Sequence, residues 1–156
     1  MRARVFRKIL VAVESPEKAR RAVDLAILLA SANQAELVIL HVLPLSVPLI
    51  PAPGFGVPYQ LVSAQYEGSF DKWRRRDERW VGRLAAAAEE NGLKVKAEIA
   101  LPDIPVAQEV VKRAEEEGVD LIVTGTTDAT GLKRLVQGSV SAGVIRHAKC
   151  PVLVAR

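Results

Sequence analysis

The chain has 156 residues, the size of one ordinary domain, which buries roughly two-thirds of the surface of its unfolded chain. Its composition, 49% hydrophobic and 26% charged, excludes a disordered polypeptide, and no apolar run reaches the roughly 18 residues of a membrane helix. The net charge of +4 allows attraction to phosphates. The basic N-terminal segment resembles the start of a signal peptide, but no small-residue cleavage site follows it. We therefore expect one cytoplasmic domain over residues 1–156.

Five short runs along the chain predict strands. They are KILVAV (8–13), ELVILHV (36–42), KVKAEIA (94–100), DLIVTG (120–125) and PVLVAR (151–156). Four are almost continuously apolar, as in strands that are covered on both faces. Helical patterns alternate with these runs, which predicts an α/β fold with a parallel sheet and helices on both faces. A ligand of such a sheet binds beyond the carboxyl ends of the strands, where the strand order reverses.

The first helix is predicted after Ser15, which can act as its cap, with Pro16 in the first turn. Its apolar stripe comprises Ala19, Ala22, Val23, Ala26, Ile27 and Ala30. The second strand is followed by residues 43–60, which hold five of the nine prolines and predict a long irregular insertion at about 43–63.

A long helix is predicted from about Ala64 to Asn91, ending at Gly92. Phe70, Trp73, Trp80, Leu84 and Ala87 have helical spacing. The segment WRRRDERWVGR (73–83) would suit stacking against nucleic acid, but its two tryptophans are seven residues apart and therefore share one helix face. We therefore expect a core-facing aromatic stripe, a solvated face with Arg74, Arg75, Arg79 and Arg83, and no nucleic-acid partner.

The third helix is predicted with Asp103 as its cap, an apolar stripe of Val106, Val110, Val111 and Ala114, and a stop at Gly118. A short last helix follows Gly138. The single cysteine, Cys150, excludes an internal disulfide and is expected to be an inert core thiol. His41 and His147 lack partners at the spacing of a metal site or a catalytic triad, so structural or surface roles are expected for both.

The segment GTTDATGLKRLVQGS (125–139) has the composition of an anion-binding loop. Gly125 ends a buried strand, where we expect a left-handed or crowded turn that needs a residue without Cβ. Gly138 and Ser139 open a helix whose free N–H groups and dipole attract a phosphate, and Lys133 and Arg134 add positive charge. A serine cap on a helix that binds no ligand is equally compatible with these residues.

Apart from the proline-rich insertion, the whole chain resembles the universal stress protein family. The resemblance lies in KILVAVES, ILHV, DLIVTGT and above all GLKRLVQGSVSAGVIRHAKCPVLV at 131–154. It implies an open, Rossmann-like sheet of five parallel strands in the order 3-2-1-4-5, similar to that of the adenine nucleotide alpha hydrolases. It also implies a homodimer formed through the last strand (151–156) and, in one subgroup, ATP bound through GxxGx9G[ST].

The same resemblance implies a set of nucleotide-binding residues. Ala12, Val13 and Val42 would line the adenine side, and Glu14 stands where the family has an aspartate. Thr124, Thr127, Val140 and Ser141 would flank the phosphates. In the motif, Gly125, Gly138 and Ser139 match, whereas Asp128 replaces the middle glycine.

Three functions are compatible with these residues. The first is a regulatory protein that binds ATP or another adenine nucleotide, with or without Mg²⁺, and has no catalytic residue. The second is a dimeric interaction protein of the stress response that binds no nucleotide, which Asp128 favours. An enzyme that uses adenine nucleotides would need a pyrophosphate loop such as SGGxDS, and Glu14, Ser15 and Pro16 do not resemble one.

Replacing Asp128 by glycine is predicted to tighten ATP binding by at least about tenfold, with a smaller gain for AMP. A carboxylate near a triphosphate repels more charge than one near a monophosphate. Calorimetry with and without Mg²⁺ measures both effects. If Mg²⁺-dependent binding is lost in Asp128→Gly, Asp128 is instead a ligand of a metal ion that bridges it to the phosphates.

Overall fold

The computed structural model describes residues 5–43, 59–101, 104–126 and 140–156, with side chains described outside 59–70. Most of the proline-rich segment, Asp103 and residues 127–139 lie outside these ranges. The elements are β1 (Lys8–Val13), α1 (Pro16–Asn33), β2 (Glu36–Val42), α2 (Tyr59–Glu89), β3 (Val95–Ala100), α3 (Val106–Glu116), β4 (Leu121–Gly125), α4 (Val140–His147) and β5 (Val152–Ala155).

The described strands form one parallel sheet in the order β3-β2-β1-β4-β5, which confirms the predicted fold. β1 lies at its centre, with Val11 beside Ile39 of β2 on one side and beside Val123 of β4 on the other. The continuous apolar runs form β1, β2 and β4 because strands inside a doubly covered sheet bury side chains on both faces.

Of the helices that the structure describes, two pack against each face of the sheet. Ile9, Val11 and Ile39 belong to the core that includes α1 and α2, whereas Leu10 and Leu40 belong to the core that includes α3 and α4. The helix after β1 and the helix after β4 therefore cover opposite faces. None of the described helices combines the length and the apolar character that a bilayer span requires.

The predicted helix faces and ends agree in most respects with the structure. In α1 the stripe is buried except for Ile27, which is partly exposed. Ser15 occupies the N-cap position with extended backbone, but its side chain makes no capping hydrogen bond. Gly92 and Gly118, with φ of 76° and 65°, end α2 and α3 in the left-handed conformation that glycine adopts most easily. Cys150 is partly buried, and burial raises the pKa of its thiol.

Two predictions for the region of α2 are wrong. The helix begins at Tyr59, inside the predicted insertion 43–63, because no proline or glycine interrupts residues 59–63 and a helix extends cooperatively. The aromatic stripe is only half core-facing, since Trp80 is 5% exposed but Trp73 is 47% exposed. With 31 residues, α2 is about 46 Å long, whereas the strands of four to seven residues span about 13–23 Å, so the helix extends beyond the sheet.

We predict that Gly143→Ala lowers the free energy of unfolding by about 1–3 kcal/mol. A Cβ at Gly143 would lie 2.6 Å from the Cβ of Ala107, so α3 and α4 would have to move apart. The matched control is Gly82→Ala, at an exposed helix position with no atom within 4 Å of the added Cβ, and it should gain about 0.5–1 kcal/mol. Urea denaturation of both variants tests this, and equal effects would contradict the close approach of α3 and α4.

Candidate functional site

A cavity of about 140 Å³ lies at the carboxyl ends of β1 and β4, where the strand order reverses. We call it the switch-point cavity. The residues that line it are Ala12, Val13, Glu14, Lys18, Leu40, Val42, Val106, Val110, Thr124, Gly125, Thr126, Val140 and Ser141. Its position is the one that the topology of an open parallel sheet predicts for a ligand.

The switch-point cavity has an apolar wall and a polar wall. The apolar wall is built by the ends of β1 and β2 and by the first turns of α3, with Val42 and Val110 buried. On the polar wall, Thr124 is buried at the end of β4 and donates a 3.4 Å hydrogen bond to the carbonyl oxygen of Gly125. Ser141, in the first turn of α4, is also buried. The cavity therefore offers hydroxyl groups on one side and aliphatic contacts on the other.

Two charged residues line the rim of the switch-point cavity. Glu14 directly follows β1, and its carboxylate accepts a 3.4 Å hydrogen bond from Lys18, one turn into α1. Both side chains are about half exposed, so the pair adds little stability. Lys18 is therefore a cation that can exchange its partner for an anionic ligand at small cost.

Eight of the twelve residues predicted to bind nucleotide line this one cavity: Ala12, Val13, Glu14, Val42, Thr124, Gly125, Val140 and Ser141. Thr127, Asp128, Gly138 and Ser139 lie outside the described residues. The expected reason for a glycine at Gly125 is wrong, because its φ is not positive and an added Cβ would make only an ordinary 3.6 Å contact with the Lys18 carbonyl oxygen. The role of these residues in binding remains a prediction.

Sequence reasoning missed five lining residues, namely Lys18, Leu40, Val106, Val110 and Thr126. Lys18 stands four residues after Glu14, and this spacing was a usable signal for a pair across one helical turn. Leu40 and Val110 look like ordinary core residues in sequence. Only the packing of α3 against β2 brings them to the cavity.

Behind the cavity, a buried polar cluster joins β1, β2 and α2. His41 Nδ1 lies 2.8 Å from the carbonyl oxygen of Val13, and His41 Nε2 lies 3.2 Å from Asp77 Oδ2. Since the carbonyl oxygen only accepts, Nδ1 carries a proton and donates it. The contact between His41 Nε2 and Asp77 Oδ2 is an ion pair only when the imidazole carries both protons, since an ionised carboxylate only accepts. The indole ring of Trp80 packs edge-on against His41, with ring centres 4.9 Å apart.

Three donors converge on the Asp77 carboxylate. Besides His41, Arg76 Nε and Trp80 Nε1 donate to Oδ1 at 2.9 Å and 3.0 Å. Burial by itself raises the pKa of the Asp77 carboxyl, but these hydrogen bonds outweigh burial and lower the pKa below its ordinary value. His41 therefore has a structural role, as predicted, and it holds the end of β1 against α2. His147, on α4, is exposed.

The fold and the cavity define a doubly wound α/β protein with a cavity at the reversal of strand order. The family model described as the universal stress protein family matches residues 6–156, and the chain belongs to this family. The universal stress protein YxiE of Bacillus subtilis is 34% identical over 154 residues, which cover 97% of this chain and 100% of that protein.

Two solved structures are similar over nearly the whole chain. The structure of MJ0577, a universal stress protein of Methanocaldococcus jannaschii, superposes with a TM-score of 0.74 and 29% identity, covering 96% of this chain and 94% of that one. A universal stress protein solved in complex with cAMP has a TM-score of 0.67 and 21% identity, with 97% of each chain covered. At 21% identity, the similarity to the protein solved with cAMP shows a shared fold alone.

We predict that Asp77→Ala lowers the free energy of unfolding at pH 7 by about 1–3 kcal/mol, because it leaves the buried donors of His41 and Trp80 without their acceptor. Asp77→Asn should cost less, since its amide can donate to Nε2 of a neutral His41 that keeps its proton on Nδ1. Urea denaturation of both variants gives the comparison. An Asn variant as unstable as the Ala variant would show that the hydrogen bonds of the cluster do not govern its stability.

The pH dependence has a definite sign. Because folding lowers the pKa of Asp77, its carboxylate contributes stability above the unfolded value of about 3.9, and the contribution is lost as the pH falls through the folded value. The difference between the wild type and Asp77→Asn should therefore persist above about pH 4 and shrink below it.

Proposed function

We propose that the chain binds an adenine nucleotide in the switch-point cavity and acts as a cytoplasmic regulatory protein of the stress response. The observation that carries this proposal is the convergence of eight predicted residues on one cavity. They come from β1, β2, β4 and α4, which are far apart in sequence. A surface depression unrelated to binding is not expected to bring together predicted residues from four separate elements.

The apolar wall suits the adenine ring. Ala12, Val13 and Val42 offer flat aliphatic contacts, and they lie next to Leu40 and Val110. The cavity of about 140 Å³ is close in size to apolar cavities of about 150 Å³ that take up benzene. It can therefore enclose part of a purine ring, while the ribose and the phosphates extend toward the polar wall.

The polar wall suits the ribose and the phosphates. Thr124 and Ser141 present hydroxyl groups, and α4 begins at Val140, so its N-terminal dipole favours a negative group at this side of the cavity. Lys18 adds a positive charge. A universal stress protein of the same fold has been solved in complex with cAMP, which supports an adenine nucleotide as the ligand class.

We propose that the protein is not an enzyme and that any ATP turnover is slow. The one carboxylate among the described lining residues, Glu14, is exposed and paired with Lys18, so it is poorly placed to activate a water molecule. A Mg²⁺ ion bound with the nucleotide would rely mainly on phosphate oxygens, because one carboxylate does not provide a metal site of its own.

Ala12→Leu is expected to weaken binding of adenosine and AMP by at least about tenfold, since the added carbons occupy the apolar wall of the cavity. The matched control is Ala32→Leu, at an exposed position of α1, which should bind as the wild type does. Lys18→Gln should weaken ATP more than adenosine, because only ATP carries phosphates. Calorimetry measures nucleotide binding by the wild type and by all three variants, and circular dichroism confirms that each variant is folded. If the wild type binds no adenine nucleotide at millimolar concentration, the chain is instead an interaction protein without a nucleotide.

We also propose that two copies associate through β5. This strand pairs with β4 on one side and lies at the edge of the described sheet, where unpaired backbone groups invite a second strand. Ile145 of α4, which is 57% exposed, adds an apolar contact near this edge. Light scattering should give twice the monomer mass of 16.9 kDa, and Val154→Lys should shift the protein toward the monomer. A wild-type monomer at micromolar concentration would contradict the proposal.

A further inference from the structure

A second cavity, of about 660 Å³, lies between the first turn of α1 and the helix α2. We call it the arginine cavity. The residues that line it are Glu14, Ser15, Pro16, Glu17, His41, Leu43, Trp73, Arg76, Asp77, Arg79, Trp80 and Arg83. Among the described residues, only Glu14 also lines the switch-point cavity, so the two cavities are neighbours. The volume lies in the range of small-molecule sites.

The charges in the arginine cavity are not balanced locally. Arg76 donates to Asp77 at 2.9 Å, so that charge is neutralised. Arg79 and Arg83, one turn apart on α2, pair with no carboxylate among the residues that the structure describes. Like charges at this spacing repel each other across one turn of a helix. A negative group placed between the two guanidinium groups would relieve this repulsion and accept several hydrogen bonds.

The carboxylates of the cavity do not serve as that negative group. Asp77 is already engaged by three donors, and Glu14 is paired with Lys18. Glu17, in the first turn of α1, stands on the wall opposite α2. These acidic groups also restrict the ligand, because Glu14 and Glu17 would repel an extended polyanion while leaving room for a small anion beside α2.

An aromatic surface completes the cavity. Trp73, Arg76, Trp80 and Arg83 are spaced by three, four and three residues, so they follow one face of α2. Trp73 is 47% exposed, which is unusual for so large an apolar side chain. Leu43 adds a buried apolar contact. An indole face next to guanidinium groups suits a flat ring that carries a negative charge.

We propose that the arginine cavity binds a small organic anion whose negative group is attached to a flat ring, the chemistry of an aromatic carboxylate. The ring stacks on Trp73, and the carboxylate is held by Arg79 and Arg83. This site is separate from the switch-point cavity and does not rest on nucleotide binding there. A single-stranded nucleic acid, the other ligand that tryptophan and arginine suit, is disfavoured by the acidic wall that faces α2.

The test uses 2-naphthoate as the probe and follows the two indole N–H signals of the ¹⁵N-labelled protein, which report Trp73 and Trp80 separately. Titration should shift the Trp73 signal in a saturable way. The double variant Arg79→Gln, Arg83→Gln should lose at least about tenfold in affinity, because two charge-assisted hydrogen bonds are removed. The control double variant Arg74→Gln, Arg75→Gln makes the same charge change on α2 outside the cavity and should bind as the wild type does.

Three further measurements decide the assignment. The uncharged 2-naphthamide should bind at least about tenfold more weakly than 2-naphthoate, and saturating AMP should leave naphthoate binding unchanged. The proposal is overturned if AMP displaces naphthoate, or if both double variants bind it equally. It is also overturned if naphthoate does not bind while a single-stranded oligonucleotide does and depends on Arg79 and Arg83, since the surface would then be a nucleic-acid site.

Discussion

The reversal of strand order between β1 and β4 is the constraint on which the rest of the structure depends. After β1 the chain crosses to α1 on one face, and after β4 it crosses to α4 on the other. No single helix can then cover the carboxyl ends of both strands. The cavity at this point thus follows from the topology, and the side chains of Ala12, Val42, Thr124 and Ser141 give its walls their apolar and polar character.

The hydrogen bond from His41 to Val13 connects this cavity to α2. It fixes the last residue of β1, directly before Glu14, and the same ring contacts Asp77 and Trp80 from the other side. The buried cluster therefore forms part of the wall of the arginine cavity and supports the rim of the switch-point cavity. A cluster with this many satisfied hydrogen bonds costs little by burial, whereas removing one member leaves unpaired polar groups. The two cavities thus share a rigid support.

The strands of the sheet were predictable from sequence because each one is marked by a short run of its own residues. The runs that form β1 and β2 have the predicted ends, and β3 begins one residue later, at Val95. The exposure of Trp73 was not predictable, because helical periodicity gives the direction of a side chain but not how deeply it is buried along a helix longer than the sheet. For the same reason the pairing of His41 with Asp77, which are 36 residues apart, required the packing of α2 on β2.

The residues of the switch-point cavity also fall into two groups, those that a local sequence pattern identifies and those that only tertiary packing brings to the cavity. The residues at the ends of β1 and β4 were predicted because strand ends and a family motif mark them. Lys18, Val106 and Val110 reach the cavity only through helix packing. Gly125 matches the motif although its backbone does not require a glycine, since its φ is not positive and an added Cβ would make only an ordinary contact.

The most direct test of the central claim is the mapping of AMP on the ¹⁵N-labelled protein by amide chemical shifts. If the switch-point cavity is the nucleotide site, the largest changes fall on Ala12, Val13, Thr124 and Gly125, and the Trp73 indole signal stays in place. Changes centred on Trp73, Arg79 and Arg83 instead, or no change at millimolar AMP, would contradict the account.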